Sequence, residues 1–299
     1  MDTIDLEKTL RDKRNISHSY HLEVIWKRGR LREGHWYIND LAANGERCRE
    51  LCTEPMIELV EQARAEVGAT PTVLDVGCGP VSSYAFLAHE GLAELTGVDP
   101  LADRYQKLLG SFGLSAPERQ VDIAGERLTE EFGPESFDIV SIRNALDHHL
   151  CPALAWLNIF RAAKVGGYIV QSHSIREATK ENWRQLHQYD LFPADDEGAL
   201  MIEDARGVVV DLVSGLPLEH VSSKINRRDD GHGWMTVTYR KTGTEEAPEM
   251  LQGVIDMLGQ SLEQRHRWAT RLERRILKAV RSERRERRHR RQARQGNKG

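Results

Sequence analysis

Two groups of residues in this 299-residue chain have the types and spacing that chemistry needs. In the first, Asp147, His148 and His149 follow the apolar run Phe137–Ile142, His173 closes a second apolar run, and His187 lies in an insert, Ile175–Ala199. Imidazole titrates near neutral pH, so any of the four histidines suits a general base that takes a proton from a hydroxyl. Asp147 would orient a neighbouring His or, with the histidines, bind a divalent ion; no metal ligand set is assigned on sequence alone. In the second group, the stretch Thr72–Pro80 (TVLDVGCGP) runs from an apolar segment into Asp75, Gly77, Cys78 and Gly79, and Asp99 stands 20 residues past Gly79. Glycines there let the backbone approach a ligand closely, and an acidic side chain at that distance can accept hydrogen bonds from both hydroxyls of a ribose. The third glycine of the dinucleotide fingerprint is replaced by Ser82.

Position depends on the elements around these groups. Val73, Leu74 and Val76 suit a buried strand, and Ser82–Ala88 suits a helix whose first amides face an anionic group. Glu94–Val98 reads as a second strand ending at Asp99, and Phe137–Ile142 as a buried strand whose carboxyl end carries the loop Arg143–His149. Pro152–Lys164 is apolar-periodic, and Val165–Gln171 reads as a turn and a strand. Strands alternating with helices predict an α/β fold on a parallel sheet, with ligands at the carboxyl ends of the strands.

Both NAD and S-adenosylmethionine fit the glycine turn and Asp99. The order of the later elements resembles class I S-adenosylmethionine-dependent methyltransferases. That resemblance implies a Rossmann-like seven-stranded sheet ending in an antiparallel pair, Glu219–Arg228 and Gly233–Arg240, with Val208–Val213 as an added strand. It implies that Gly77, Cys78 and Gly79 give backbone contacts to the methionine end, that Asp75 orders the turn, and that Asp99 and Pro100 face the ribose. Asp122, Ile123, Ala124 and Gly125 would border adenine, and Arg143 and Asn144 would border the cofactor from the strand-four loop. Residues 75–80, 98–105, 143–148 and 185–188 also resemble a bacterial subgroup associated with surface-glycan or secondary-metabolite tailoring, over roughly Leu22 to Arg240. The acidic residue of that subgroup after strand three would fall at Ala124 or Gly125, with Asp122 slightly displaced.

The strand-four loop reads Arg-Asn-Ala-Leu-Asp-His instead of the Asn/Asp-Pro-Pro-aromatic element that resembles amino-group methylation of bases. The expectation is therefore an O-methyltransferase acting on a saccharide hydroxyl, such as that of a lipid-linked cell-surface polysaccharide. A small-molecule secondary-metabolite O-methyltransferase is the first alternative; an RNA-binding methyltransferase and an inactive scaffold are the others. The intact Asp75, Gly77, Gly79 and Asp99 argue for retained cofactor binding.

Composition sets the limits. The length holds one α/β domain plus an appendage, and four cysteines give no disulfide framework, so a reduced cytoplasmic setting is expected. Cys48 and Cys52, one helical turn apart, read as half-buried thiols, since no second pair completes a zinc site. Met1–Arg14 has no apolar core, and no run approaches a membrane span. Residues 1–69 are expected to form a helical lid in which Tyr20, Trp26, His35, Trp36 and Tyr37 line or close the acceptor site, residues 70–241 the methyltransferase domain, and residues 244–295 a basic helix.

The formal charge of −4 conceals a separation: Arg265–Gly299 carries 15 Lys+Arg against 3 Asp+Glu, while the preceding 264 residues carry 27 basic and 43 acidic side chains. Leu251, Ile255, Leu258, Leu262, Arg265, Ala269, Leu272, Ile276 and Ala279 follow a heptad seam, with Thr244 as cap and Pro248 in the first turn. Such a helix calls for a partner: a second copy, the acidic domain or another protein, with peripheral contact to anionic lipid at the inner face of the cell membrane as a further expectation. Nucleic acid fits poorly, because the tail has no aromatics after Trp268 and the domain is acidic.

Overall fold

The computed structural model describes residues 17–32, 36–43, 45–52, 54–183, 186–194, 198–205, 207–228, 232–248, 250–255 and 257, without the side chains of 17–22, 26, 36, 37 and 51. Ten strands lie in this part: β1 (Thr72–Val76), β2 (Glu94–Val98), β3 (Arg119–Val121), β4 (Phe137–Arg143), β5 (Ala163–Ile175), β6 (Tyr189–Pro193), β7 (Leu200–Asp204), β8 (Val209–Asp211), β9 (Leu218–Arg227) and β10 (Gly233–Lys241). Seven form one sheet in the order β3-β2-β1-β4-β5-β10-β9. The first five are parallel, and β10 runs antiparallel to both β5 and β9. This is the Rossmann-like sheet expected from the motif order.

The apolar runs explain the central strands. Val73, Leu74, Val76, Ile139, Val140 and Ile142 are inaccessible to solvent, as strands covered on both faces must be. One cover is the helix Met56–Val67, which buries Met56, Leu59, Val60 and Ala63 at helical spacing against Val73, Leu95, Ile139 and Tyr168. Each buried side chain of this size contributes roughly 1.5–3 kcal/mol. The helix stops at Gly68, whose left-handed backbone donates its N–H to Arg64 O. The other face is covered by the helix Pro152–Ala162, with Pro152 at its first turn and Trp156 fully buried, its Nε1–H donating to Leu212 O.

Several boundaries differ from the sequence reading. The helix after β4 ends at Ala162, because Ala163 is already extended and pairs with Phe137; β5 therefore starts two residues before Val165 and continues to Ile175. The expected added strand at Val208–Val213 is the short β8, and it does not join the main sheet: it closes a three-stranded antiparallel sheet, β6-β7-β8, built by the insert. Leu200, Ile202 and Asp204 alternate inward along β7, a period of two that the acidic surroundings obscured. This small sheet fixes His187 from below, since Tyr189 donates its hydroxyl to Leu150 O and buried Asp190 accepts from the Thr179 amide and hydroxyl.

Among the C-terminal residues, 248, 250–255 and 257 are helical. Met250, Val254 and Met257 are buried, while the seam positions Leu251 and Ile255 are exposed, so of the partners expected for the seam the chain's own domain does not cover these two positions. Thr244 lies before the helix and does not cap it; its own N–H donates to Glu245. The rest of the heptad and the arginine-rich stretch lie outside the described residues, as do the side chains of Tyr20, Trp26, His35, Trp36 and Tyr37. No described helix is long and apolar enough to cross a membrane.

Candidate functional site

Strand order locates the site. From β1 the chain winds outward to β2 and β3, then returns to β4 on the other side of β1, and the loops after β1 and β4 diverge at that reversal. A cavity of about 790 Å³ opens there, within the range of roughly 300–1,000 Å³ common for small-molecule sites.

The glycine turn forms one wall. Gly77 and Gly79 both adopt left-handed backbone, φ 71° and 67°, and a Cβ on Gly77 would collide with the Ala145 Cβ in the loop after β4. Gly77 N and Cys78 N donate to Val98 O at 2.7 and 3.1 Å, which ties the turn to the end of β2. Next to it, Asp99 accepts from Leu101 N (Oδ1, 2.8 Å) and Gly79 N (Oδ2, 3.1 Å), and burial pushes its carboxyl up to about 6. Gly77, Cys78, Gly79, Asp99 and Pro100 all line the cavity. Asp75 does not: it accepts from Ser82 Oγ at 2.6 Å inside the domain, and burial raises its carboxyl to about 7.

The expected anion site at the following helix is absent. That helix is only Ala85–His89, and the Ser82 amide donates to the buried Glu118 Oε1 at 2.8 Å, while the Tyr84 amide donates to Ser82 Oγ at 3.1 Å. The Ser82 and Tyr84 amides are already engaged and offer a pyrophosphate no free donor at the start of this helix. A nucleoside with a sulfonium has no phosphate to place. The donor set therefore fits S-adenosylmethionine and not a dinucleotide. Among the described residues, five carboxylates border the cavity (Glu23, Asp99, Glu126, Glu177 and Glu181) against Lys27 and Arg143, a balance that favours a cationic cofactor.

On the adenine side, Ala124 lines the cavity, whereas Asp122 is exposed and neither it nor Ile123 reaches the lining. Gly125 lies against the His149 ring, where a Cβ would collide with Nε2. His149 Nδ1–H donates to Ala145 O at 2.9 Å, which fixes this ring as a wall between the loops after β3 and β4. Arg143 Nε donates to the wholly buried Glu54 Oε1 at 3.0 Å, and the guanidinium lies over Trp234, 4.9 Å from the ring centre. Asn144, at φ 48°, makes the sharp turn out of β4; its N–H donates to Ser172 O, and its Oδ1 accepts from Ser174 N.

The acid–base residues converge at the other end of the cavity. Asp147 is completely buried. His173 Nε2–H donates to Asp147 Oδ1 at 2.9 Å, and His187 Nδ1–H donates to Asp147 Oδ2 at 2.8 Å. His148 Nε2 lies 3.2 Å from His187 Nδ1 and 3.7 Å from Asp147 Oδ1. Burial opposes the Asp147 charge, but the surrounding imidazoles outweigh it and hold the carboxyl well below the usual range. His173 Nδ1 also faces Ser174 O at 2.7 Å, so both ring nitrogens meet acceptors and the ring is an imidazolium with no lone pair to offer. His173 is thereby placed as an orienting group, inaccessible to solvent and away from the cavity lining. Burial lowers His148 to about 4, keeping it neutral. His187 is raised above its usual value: burial opposes this, and the Asp147 hydrogen bond and charge prevail.

Sequence reasoning missed Glu54, Glu118 and Glu126, each isolated in the sequence and placed by pairing or loop closure, and Glu177 and Glu181, which precede the small sheet of the insert. Glu126 accepts from Cys151 N at 3.0 Å and borders the cavity. Cys48 and Cys52 are free thiols, both pushed up to about 12, chiefly by burial. Glu23, Ile25, Lys27 and Ile38 bring the segment before β1 to the cavity.

Residues 74–171 match the family model described as a methyltransferase domain. Over 101 residues, 32% of this chain, the sequence is 39% identical to a ubiquinone biosynthesis O-methyltransferase in each of two strains of Pseudomonas fluorescens; the match spans 41% of the length of those relatives. Among solved structures, the Burkholderia thailandensis 1,6-didemethyltoxoflavin-N1-methyltransferase is similar at a TM-score of 0.40 and 17% identity, over 76% of this chain and 91% of that one. Residues 74–171 are thus a methyltransferase domain, set in a Rossmann-like seven-stranded sheet.

Proposed function

We propose that the chain is an O-methyltransferase whose acceptor hydroxyl sits between the glycine turn and the Asp147–His187 pair. The observation that carries this reading is the shared cavity: one end has Gly77, Gly79 and Asp99, and the other has His187 with its Nδ1–H held by a buried carboxylate. That hydrogen bond leaves His187 Nε2 as the proton acceptor, the arrangement in which an Asp fixes the tautomer of a catalytic base.

S-adenosylmethionine supplies an activated methyl group, so the protein has to align the acceptor, exclude water and take one proton. Asp99 would hold the ribose through the lone pairs its backbone contacts leave open. Ile25 and Ile38 give the segment before β1 apolar contacts with the cavity and help to exclude water. Imidazolium His173 would keep Asp147 ionised, Asp147 would keep His187 oriented, and His187 Nε2 would take the proton of the acceptor hydroxyl.

Two carboxylates at the same end of the cavity bear on the acceptor class. Glu177 and Glu181 beside His187 offer carboxylate acceptors to a substrate with several hydroxyls, which supports a saccharide acceptor. Likeness to ubiquinone biosynthesis O-methyltransferases favours the second reading, a small-molecule acceptor, and supports transfer to oxygen in either case. The test is transfer of a labelled methyl group to two acceptor panels, bacterial oligosaccharides and hydroxylated small molecules, with the product linkage read by NMR. A new O-methyl signal that disappears with His187→Ala supports the reading. Transfer to nitrogen, or full transfer by that variant, overturns it.

A further inference from the structure

We propose that Asp147, His148 and His187 form a binding site for a divalent first-row transition-metal ion at the acceptor end of the cavity. Donors bound about 2.0–2.2 Å from one ion lie roughly 3.0–3.4 Å apart, depending on coordination number. Here His187 Nδ1 lies 2.8 Å from Asp147 Oδ2 and 3.2 Å from His148 Nε2. His148 Nε2 and the nearer Asp147 oxygen are 3.7 Å apart, so small side-chain rotations close the set. The three donors come from two separate segments, the turn Leu146–His148 and the loop before β6, and His148 and His187 both line the cavity.

Two further features surround this triad. Glu177 Oε2 is buried without a hydrogen-bond partner, and Glu177 offers an oxygen that lies within 4.8 Å of ligand atoms of Asp147 and His173. Glu177 thus borders the carboxylate of the triad without joining the group formed with His148 and His187. His173 donates to Asp147 from behind, the outer-shell contact that orients a ligating carboxylate. Two imidazoles and a carboxylate select zinc, iron(II), cobalt(II) or nickel(II) over magnesium or calcium, which prefer all-oxygen sets. The ion would replace the proton on His187 Nδ1, and a hydroxyl coordinating it would give up its own proton to solvent near neutral pH, so the ion would serve in place of the Asp147–His187 base. That role for the ion rests on the O-methyltransferase reading; the binding of the ion does not.

The test uses the full chain, stripped of metal with a chelator and titrated with cobalt(II) chloride. Ligand-field absorption reports the ion, and calorimetry with S-adenosylhomocysteine reports the fold of each variant. The expected result is one cobalt(II) per chain, with affinity weakened more than about 100-fold by His148→Ala or by His187→Ala, beyond the 10–100-fold typical of an outer-shell loss, which His173→Gln should show. S-adenosylhomocysteine affinity should persist in the two ligand variants, and His220→Ala, an exposed histidine elsewhere, should leave cobalt binding unchanged. Absence of ligand-field bands in the wild-type chain, or bands that survive both ligand variants, would overturn the site. Cobalt binding of the expected kind in a protein that methylates no hydroxyl would uphold the site and overturn the proposed function.

Discussion

Asp99→Asn separates what the carboxylate costs the fold from what it gives the ligand. In the folded protein burial raises this carboxyl from 3.8 to about 6. Because the folded-state value is the higher one, the acid stabilises the fold while protonated, and that advantage is lost as pH rises through 6. At pH 8 the ionised group withholds about 3 kcal/mol from the folded state. Asn removes the charge but accepts with only one oxygen, whereas Asp99 accepts from both Leu101 N and Gly79 N. Losing one of those bonds costs about 1 kcal/mol, for a net gain of roughly 2 kcal/mol, or about 4–8 °C in melting temperature. A ribose loses a charged acceptor in the same substitution, worth about 2 kcal/mol or roughly 30-fold in affinity. Thermal melts at pH 8 and pH 5, with calorimetry against S-adenosylhomocysteine, test both halves. The variant should be the more stable protein at pH 8, lose most of that lead by pH 5, and bind more weakly. A less stable variant with unchanged affinity would refute the ribose assignment and the idea that this charge is kept for the ligand.

Other substitutions follow from the same geometry. Gly77→Ala forces a Cβ into the Ala145 Cβ at φ 71° and should cost more than about 2 kcal/mol, whereas a Cβ on Gly79 meets no atom and should cost only the left-handed backbone penalty of about 1 kcal/mol; chemical denaturation of the pair checks the difference. Methyl transfer should rise with pH through a value above the usual 6.5 for His187, because Asp147 stabilises its protonated, inactive form; Asp147→Asn should move the inflection downward, and a pH-independent rate would count against the base. Glu54→Ala breaks a buried pair with Arg143 and removes one acceptor of the Ser172 hydroxyl, which keeps Thr236 as a partner, so it should destabilise by about 3 kcal/mol, and a near-neutral result in urea melts would contradict the contact.

How much of this was legible in the sequence depended on the range of the interaction. β1, β2 and β4 were readable because fully buried parallel strands are short apolar runs, and the turn after β1 because only glycine tolerates both its backbone angle and the Ala145 contact. The gathering of Asp147, His173 and His187 was foreseeable as a set of candidates, but their division of labour was not. That division depends on which acceptors each ring nitrogen meets, and Ser174 O decides it for His173. Glu118 reversed a local expectation for the same reason: the Ser82 amide looked free for a ligand until a carboxylate 36 residues away took it. At the C-terminal helix the periodicity of Leu251 and Ile255 marks a face that the domain leaves exposed, while Met250, Val254 and Met257 pack within the chain.

The account stands on a nucleoside site built for a sulfonium and closed to a pyrophosphate. Calorimetric titration of the purified chain with S-adenosylmethionine, S-adenosylhomocysteine and NAD tests it directly. Saturable binding of the first two, lost with Asp99→Ala, and no heat with NAD are the predicted results. NAD binding comparable to S-adenosylmethionine, or no binding of either, would contradict it.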